Sequence, residues 1–144
     1  MPRSMTRRTI TLASADAVVT AAREHAGLLS VAVNVAVVDD SGLLVAFCRM
    51  DGAERPSGEI AVDKAYTAAG FGFPTHEWPG FIKDDPGLVV GIPAGIRRMI
   101  IFPGGYPLRI DHEVVGAVGV SGGTPGQDAD IAEYAVRRFD RLDD

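Results

Sequence analysis

Six side chains in this sequence, Arg49, Asp51, Glu59, Lys64, His76 and Ser121, are of types that do chemistry if the fold brings them together. Arg49 and Lys64 can hold a carboxylate or polarise a carbonyl. Ser121, with the backbone N–H groups of Gly122 and Gly123, can answer an oxyanion. Glu59 or His76 can move a proton, because a buried carboxylate or an imidazole titrates near neutrality. Such a set suits cofactor-independent hydrolysis, deamination or tautomerisation of a small unsaturated acid or carbonyl compound. Lys64, Glu59, His76 and Ser121 would be catalytic, and Arg49, Asp51, Phe71, Trp78, Gly122 and Gly123 would bind the substrate. Plainer roles compete with these. Arg49 and Asp51 can form a salt bridge that fixes a strand end, and Lys64 can snorkel to solvent or pair with Asp51 or Glu59.

The elements that must position these groups are legible around them. Glu113 to Ser121 is a valine-rich run closed by Gly122-Gly123, the pattern of a central strand delivering a loop. Gly116 and Gly119 inside that run imply a neighbour, backbone or ligand, that needs the room. Thr124-Pro125-Gly126-Gln127 then marks a helix start with a capping box. Ile131, Tyr134, Ala135 and Phe139 form its apolar face, and Asp128 sits near the positive end of its dipole. A first helix is predicted from Thr11 to Ala26, stopped by Gly27. A middle helix begins at a Ser57 N-cap and carries Lys64 beside the small face of Ala61, Ala65 and Ala68. Val31 to Val38 and Leu43 to Met50 read as a hairpin. Ile96 to Phe102 and Tyr106 to Ile110 read as a second pair, and the two-residue turn Asp111-His112 leads into the valine-rich strand. The expectation is an α+β domain built on a five-stranded antiparallel sheet flanked by helices, spanning residues 11–144 after a flexible tail at 1–10.

Length and composition narrow the function classes. The chain has 144 residues, enough for one core but not two, and a formal net charge of −5 that disfavours nucleic acid as a partner. Arg7-Arg8 is not followed by the long apolar segment of a twin-arginine signal, and no membrane span is seen, so a cytoplasmic protein is expected. The single cysteine, Cys48, excludes an internal disulfide framework or a cysteine-rich zinc site. His25, His76 and His112 have no spacing that recommends a metal site. Haem needs only an axial donor, and His25, His76, Met50 and Met99 are of suitable type. His25 also falls in the last turn of the first helix, where a cation caps the dipole.

Four ordered stretches carry a resemblance that covers nearly the whole chain. They are Arg49-Met50-Asp51-Gly52-Ala53, Ala61 to Ala68, Pro103-Gly104-Gly105-Tyr106-Pro107, and Gly116 to Gly123. Together they resemble the GlcG/HbpS family, which also includes the C-terminal domain of PduO-type corrinoid adenosyltransferases. The resemblance implies a profilin-like α-β-β-α-β-β-β-α domain that assembles into symmetric homo-oligomers. It also implies a small-molecule ligand: some members bind haem or another tetrapyrrole, others accompany small-molecule catabolism, and a non-catalytic oligomeric ligand-binding domain is a third outcome. Two departures stand out. His112 occupies a turn position where the family usually has glycine. Residues 71–81 form an aromatic loop that holds the only tryptophan, Trp78, and can wall off a flat organic ligand.

Overall fold

A computed structural model describes residues 1–143. Helix α1 (Leu12–Leu28) precedes the hairpin β1 (Asn34–Asp39) and β2 (Leu44–Arg49). Helix α2 (Ser57–Phe71) leads into a short 3-10 turn at Thr75–Glu77, then α3 (Trp78–Ile82) and α4 (Pro86–Gly95). Strands β3 (Gly105–Ile110) and β4 (Glu113–Ser121) and helix α5 (Pro125–Phe139) complete the chain. The sheet has four strands in the order β2-β1-β4-β3, every pair antiparallel. Helices α1 and α5 cover one face and α2 the other, with the principal core of Val18, Val35, Val37, Val118, Val120 and Ile131 on the α1/α5 side.

The five-stranded expectation is corrected to four. Residues 96–102, anticipated as a strand, run over α2 without joining the sheet. Several of their backbone groups meet side chains instead: Ile100 N–H donates to Thr67 Oγ1 at 3.0 Å, and the one Thr67 hydroxyl hydrogen is shared between the Asp63 carbonyl at 2.8 Å and the Arg98 carbonyl at 3.0 Å. Thr75 Oγ1 likewise donates to the Phe102 carbonyl at 2.6 Å and accepts from Gly105 N–H at 3.0 Å. Two threonines thus supply partners at three points where a neighbouring strand would have done so. Arg98 adopts φ 65°, which breaks the extended path. The helix α4 was also unforeseen. Its sequence is apolar on every side, so it has no 3.6-residue stripe, and only Ile92 of its residues is buried.

Other boundaries shift by a turn or less. Helix α1 continues past Gly27 to Leu28, and Ser30 at φ 56° takes the left-handed position after it. Ser57 is the first residue of α2, not its cap; Pro56 holds the cap position. The turn into β4 is the expected two-residue one, with Asp111 at φ 48° and His112 at φ 67°. Within residues 1–10, Ile10 is buried and its N–H donates to the Val115 carbonyl at 2.9 Å, while Arg8 reaches Asp111 at 2.8 Å. The end of that segment therefore lies along β4.

The room left by Gly119 is filled by α2. A Cβ there would overlap the Ala61 carbonyl oxygen and stand 2.7 Å from Ala65 N. Ala61, Ala65 and Ala68 present the matching small face, and this close approach places Lys64 over the end of β4.

Candidate functional site

Antiparallel register puts Asn34 of β1 directly opposite both Arg49 of β2 and Ser121 of β4. Direct partners share a sheet face, so the three side chains form one row on the α2 side, Arg49 and Ser121 about 10 Å apart across two strand spacings. Asn34 is fully buried and its Nδ2 donates to the Glu54 carbonyl at 3.0 Å. The row ends where β4 turns into α5, and there a cleft of about 190 Å³ opens. Its walls include Glu54, Lys64, Phe102, Ser121, Gly123 and Asp128.

Lys64 is the centre of that cleft and is only 1% exposed. Its Nζ donates to the Val120 carbonyl at 2.8 Å and to Asp128 Oδ2 at 3.1 Å, beneath the Phe102 ring at 5.2 Å. Gly104 makes this possible, since a Cβ at that position would stand 2.7 Å from the ammonium. Asp128 is equally buried, and its Oδ1 accepts from Gly123 N–H at 2.8 Å. Burial pushes the Lys64 ammonium below the ordinary lysine range against the opposing pull of the Asp128 charge. Burial likewise pushes the Asp128 carboxyl up, against Lys64 and the Gly122 and Gly123 N–H groups.

Lys64 therefore pairs with Asp128 and with neither Asp51 nor Glu59. Asp128 is the residue that the sequence assigns only to the positive end of the α5 dipole. Its periodicity gives the better answer: Asp128, Ile131, Ala132, Ala135 and Phe139 are the buried face of the helix, a carboxylate in line with four apolar residues. Tyr134, assigned to that face, is instead at the rim, stacked on the His25 ring at 4.3 Å.

The remaining predicted residues are dispersed. Ser121, Gly122 and Gly123 join Lys64 in the cleft. Glu59 lines a separate, broader groove of about 620 Å³ beside Phe47, Arg55, Asp63, Arg97 and Arg98, where Arg98 Nε meets Asp63 at 2.8 Å. Arg49 and Asp51 are exposed, line neither hollow, and make no salt bridge with each other. His25 Nε2–H donates to Asp130 Oδ2 at 2.9 Å, tying α1 to α5. His76 is exposed and lines a third hollow of about 460 Å³ with Phe73, Glu77, Gly80 and Phe81. Its ring lies 5.5 Å from that of Tyr106, whose hydroxyl burial and nearby carboxylates hold in the protonated form. Trp78 is buried within the arm formed by the 3-10 turn, α3 and α4, edge-on to Phe71 at 4.9 Å and packed with Ile82 and Ile92; among the described residues its Nε1 has no hydrogen-bond partner. Among the described residues no three His, Cys, Asp or Glu side chains cluster to hold a metal ion, and no helix is long and apolar enough to cross a membrane.

Comparison with known proteins places this geometry in a family. Residues 10–137 match the family described as "Haem degrading protein HbpS-like". An uncharacterized 15.0 kDa protein of Citrobacter freundii is 38% identical over 142 residues, 99% of this chain and all of its own length. The crystal structure of Klebsiella pneumoniae protein ORFY superposes with a TM-score of 0.93 at 37% identity, covering 99% of each chain. A structure described as a PduOC:heme complex superposes with a TM-score of 0.83 at 32% identity, covering 90% of this chain and 94% of its own. The chain belongs to the HbpS-like family, the same GlcG/HbpS family that its four sequence stretches resemble.

Proposed function

We propose that this protein binds haem or a closely related tetrapyrrole, with His76 as the axial donor, and that it does so as a homo-oligomer. The observation that carries the reading is His76 itself: an exposed imidazole that makes no hydrogen bond among the described residues, on a hollow lined by Phe73 and Phe81. A macrocycle needs that combination of one nitrogen ligand and flat apolar surface. The family match and the haem-bound relative support it. His25 fits less well, because its Nε2 is engaged by Asp130 and one ring face is covered by Tyr134. When bound, haem would supply a redox-active iron; the chain's part is to orient the imidazole and keep water from the porphyrin face.

Hemin titration should give a saturable Soret shift in the wild type and in His25→Ala, and none in His76→Ala. A His76→Ala protein that still saturates would overturn the assignment of the ligand. The oligomer rests on α4 and its surroundings: Leu88, Val89, Val90 and Ile96 are exposed along a segment without a single charge from Pro86 to Ile96, and Phe81 beside it is 76% exposed. So much uncharged surface on one arm needs a cover. Light scattering at micromolar concentration should return a mass that is a multiple of 15.2 kDa; a monomer would count against it.

A further inference from the structure

The cleft at the end of β4 is separate from the His76 hollow, and its polar groups are not all spoken for. An ammonium has three N–H groups. Two from Lys64 go to Val120 and Asp128, which leaves one for the cleft that Lys64 lines. Ser121 lines the same cleft, is only 5% exposed, and its hydroxyl has no hydrogen-bond partner among the described residues. Two donors from separate elements, α2 and the end of β4, thus line one small space.

We propose that this cleft binds a small, uncharged carbonyl compound, its carbonyl oxygen accepting from Lys64 Nζ–H and Ser121 Oγ–H. Size and charge set the class. At about 190 Å³, the cleft has room for roughly six water-sized groups at ~30 Å³ each, so a two- to four-carbon molecule fits. Asp128 already neutralises Lys64, and Glu54 adds a carboxylate at the wall, so a second anion would be repelled. Glu54 and the Ser57 hydroxyl, 3.4 Å apart, offer acceptors for a hydroxyl on the ligand's far end. A neutral hydroxy-ketone or hydroxy-aldehyde satisfies all of these groups.

The test is amide NMR on the intact protein with hydroxyacetone as probe and acetate as its charged counterpart. Hydroxyacetone should shift the Ser121, Gly122 and Gly123 amides saturably in the millimolar range. Ser121→Ala, which removes one donor and no packing carbon, should weaken that binding at least several-fold while its thermal melt stays within a few degrees of wild type, and acetate should leave the same amides unmoved. No saturable shift with hydroxyacetone, an equal shift in Ser121→Ala, or tighter binding of acetate would each overturn the proposal. A hemin titration unaffected by Ser121→Ala would show that the two sites are independent.

Discussion

Replacing Asp128 with alanine should destabilise the protein by about 3 to 5 kcal/mol, the usual penalty for stranding one member of a buried ion pair. That corresponds to a fall in melting temperature of roughly 10 to 15 °C for a chain of this size. The variant strips the carboxylate from a lysine that is 1% exposed and leaves the Gly123 N–H without its acceptor. The double change Lys64→Met with Asp128→Leu should recover most of the loss, because it removes both charges that folding must dehydrate. The directions of the two pKa shifts say the same. Lys64 is lowered on folding, so it adds stability at pH above the unfolded lysine value, lost as pH falls through its folded value. Asp128 is raised, so it adds stability below the unfolded carboxyl value, lost as pH rises through its folded value. Between those limits both groups are charged, and dehydration weighs against the fold. Thermal melts of the wild type and both variants from pH 5 to about pH 10 would check this. A single Asp128→Ala melting within two degrees of wild type would show that Lys64 escapes to water.

Gly119→Val should be worse still. Overpacking a core commonly costs about 1 to 3 kcal/mol when side chains can yield. Here the obstacle is helix backbone, the Ala61 carbonyl and the Ala65 N–H, which cannot rotate away. Even Gly119→Ala is expected at or above the top of that range, and the valine variant should fail to accumulate as folded protein. Gly27→Ala supplies the contrast. It lies inside α1 with open space around the missing Cβ, so it should raise stability by about 0.5 to 1 kcal/mol, the helix-propensity gain. Urea midpoints at constant slope measure both effects. A folded Gly119→Val protein of wild-type stability would mean that α2 does not seat on β4 as described.

The same contrast explains how much of the molecule the amino acids disclose in advance. Strand β4, the Asp111-His112 turn and the capping box before α5 are local: each is specified by residues within a few positions, and each is where the spacing puts it. Glycines 116 and 119 foretell a close neighbour but not its identity, since a helix backbone and a ligand make equal use of a missing Cβ. Residues 96–102 mislead because β-branched and apolar composition reports only fitness for an extended path. Whether that path finds a strand depends on Thr67 and Thr75, thirty residues away in sequence terms and unmarked by any pattern. The Lys64 partner was open to inspection in the periodicity of α5, yet acidic residues in a first helical turn have so ready an explanation in the dipole that the inward position of Asp128 is masked. The convergence of Ser121 with Lys64, and the separation of Glu59 and His76 from both, depend on how α2 and the arm after it lie across the sheet.

Trp78 has a consequence for spectroscopy. The indole belongs to a small cluster with Ile82 and Ile92 that is distinct from the principal core between the sheet and α1/α5. Tryptophan emission in this protein therefore watches only the arm. Denaturation curves followed by fluorescence and by far-ultraviolet dichroism need not coincide, and an early fluorescence transition would signify the arm lifting from an otherwise intact sheet, not the loss of the fold.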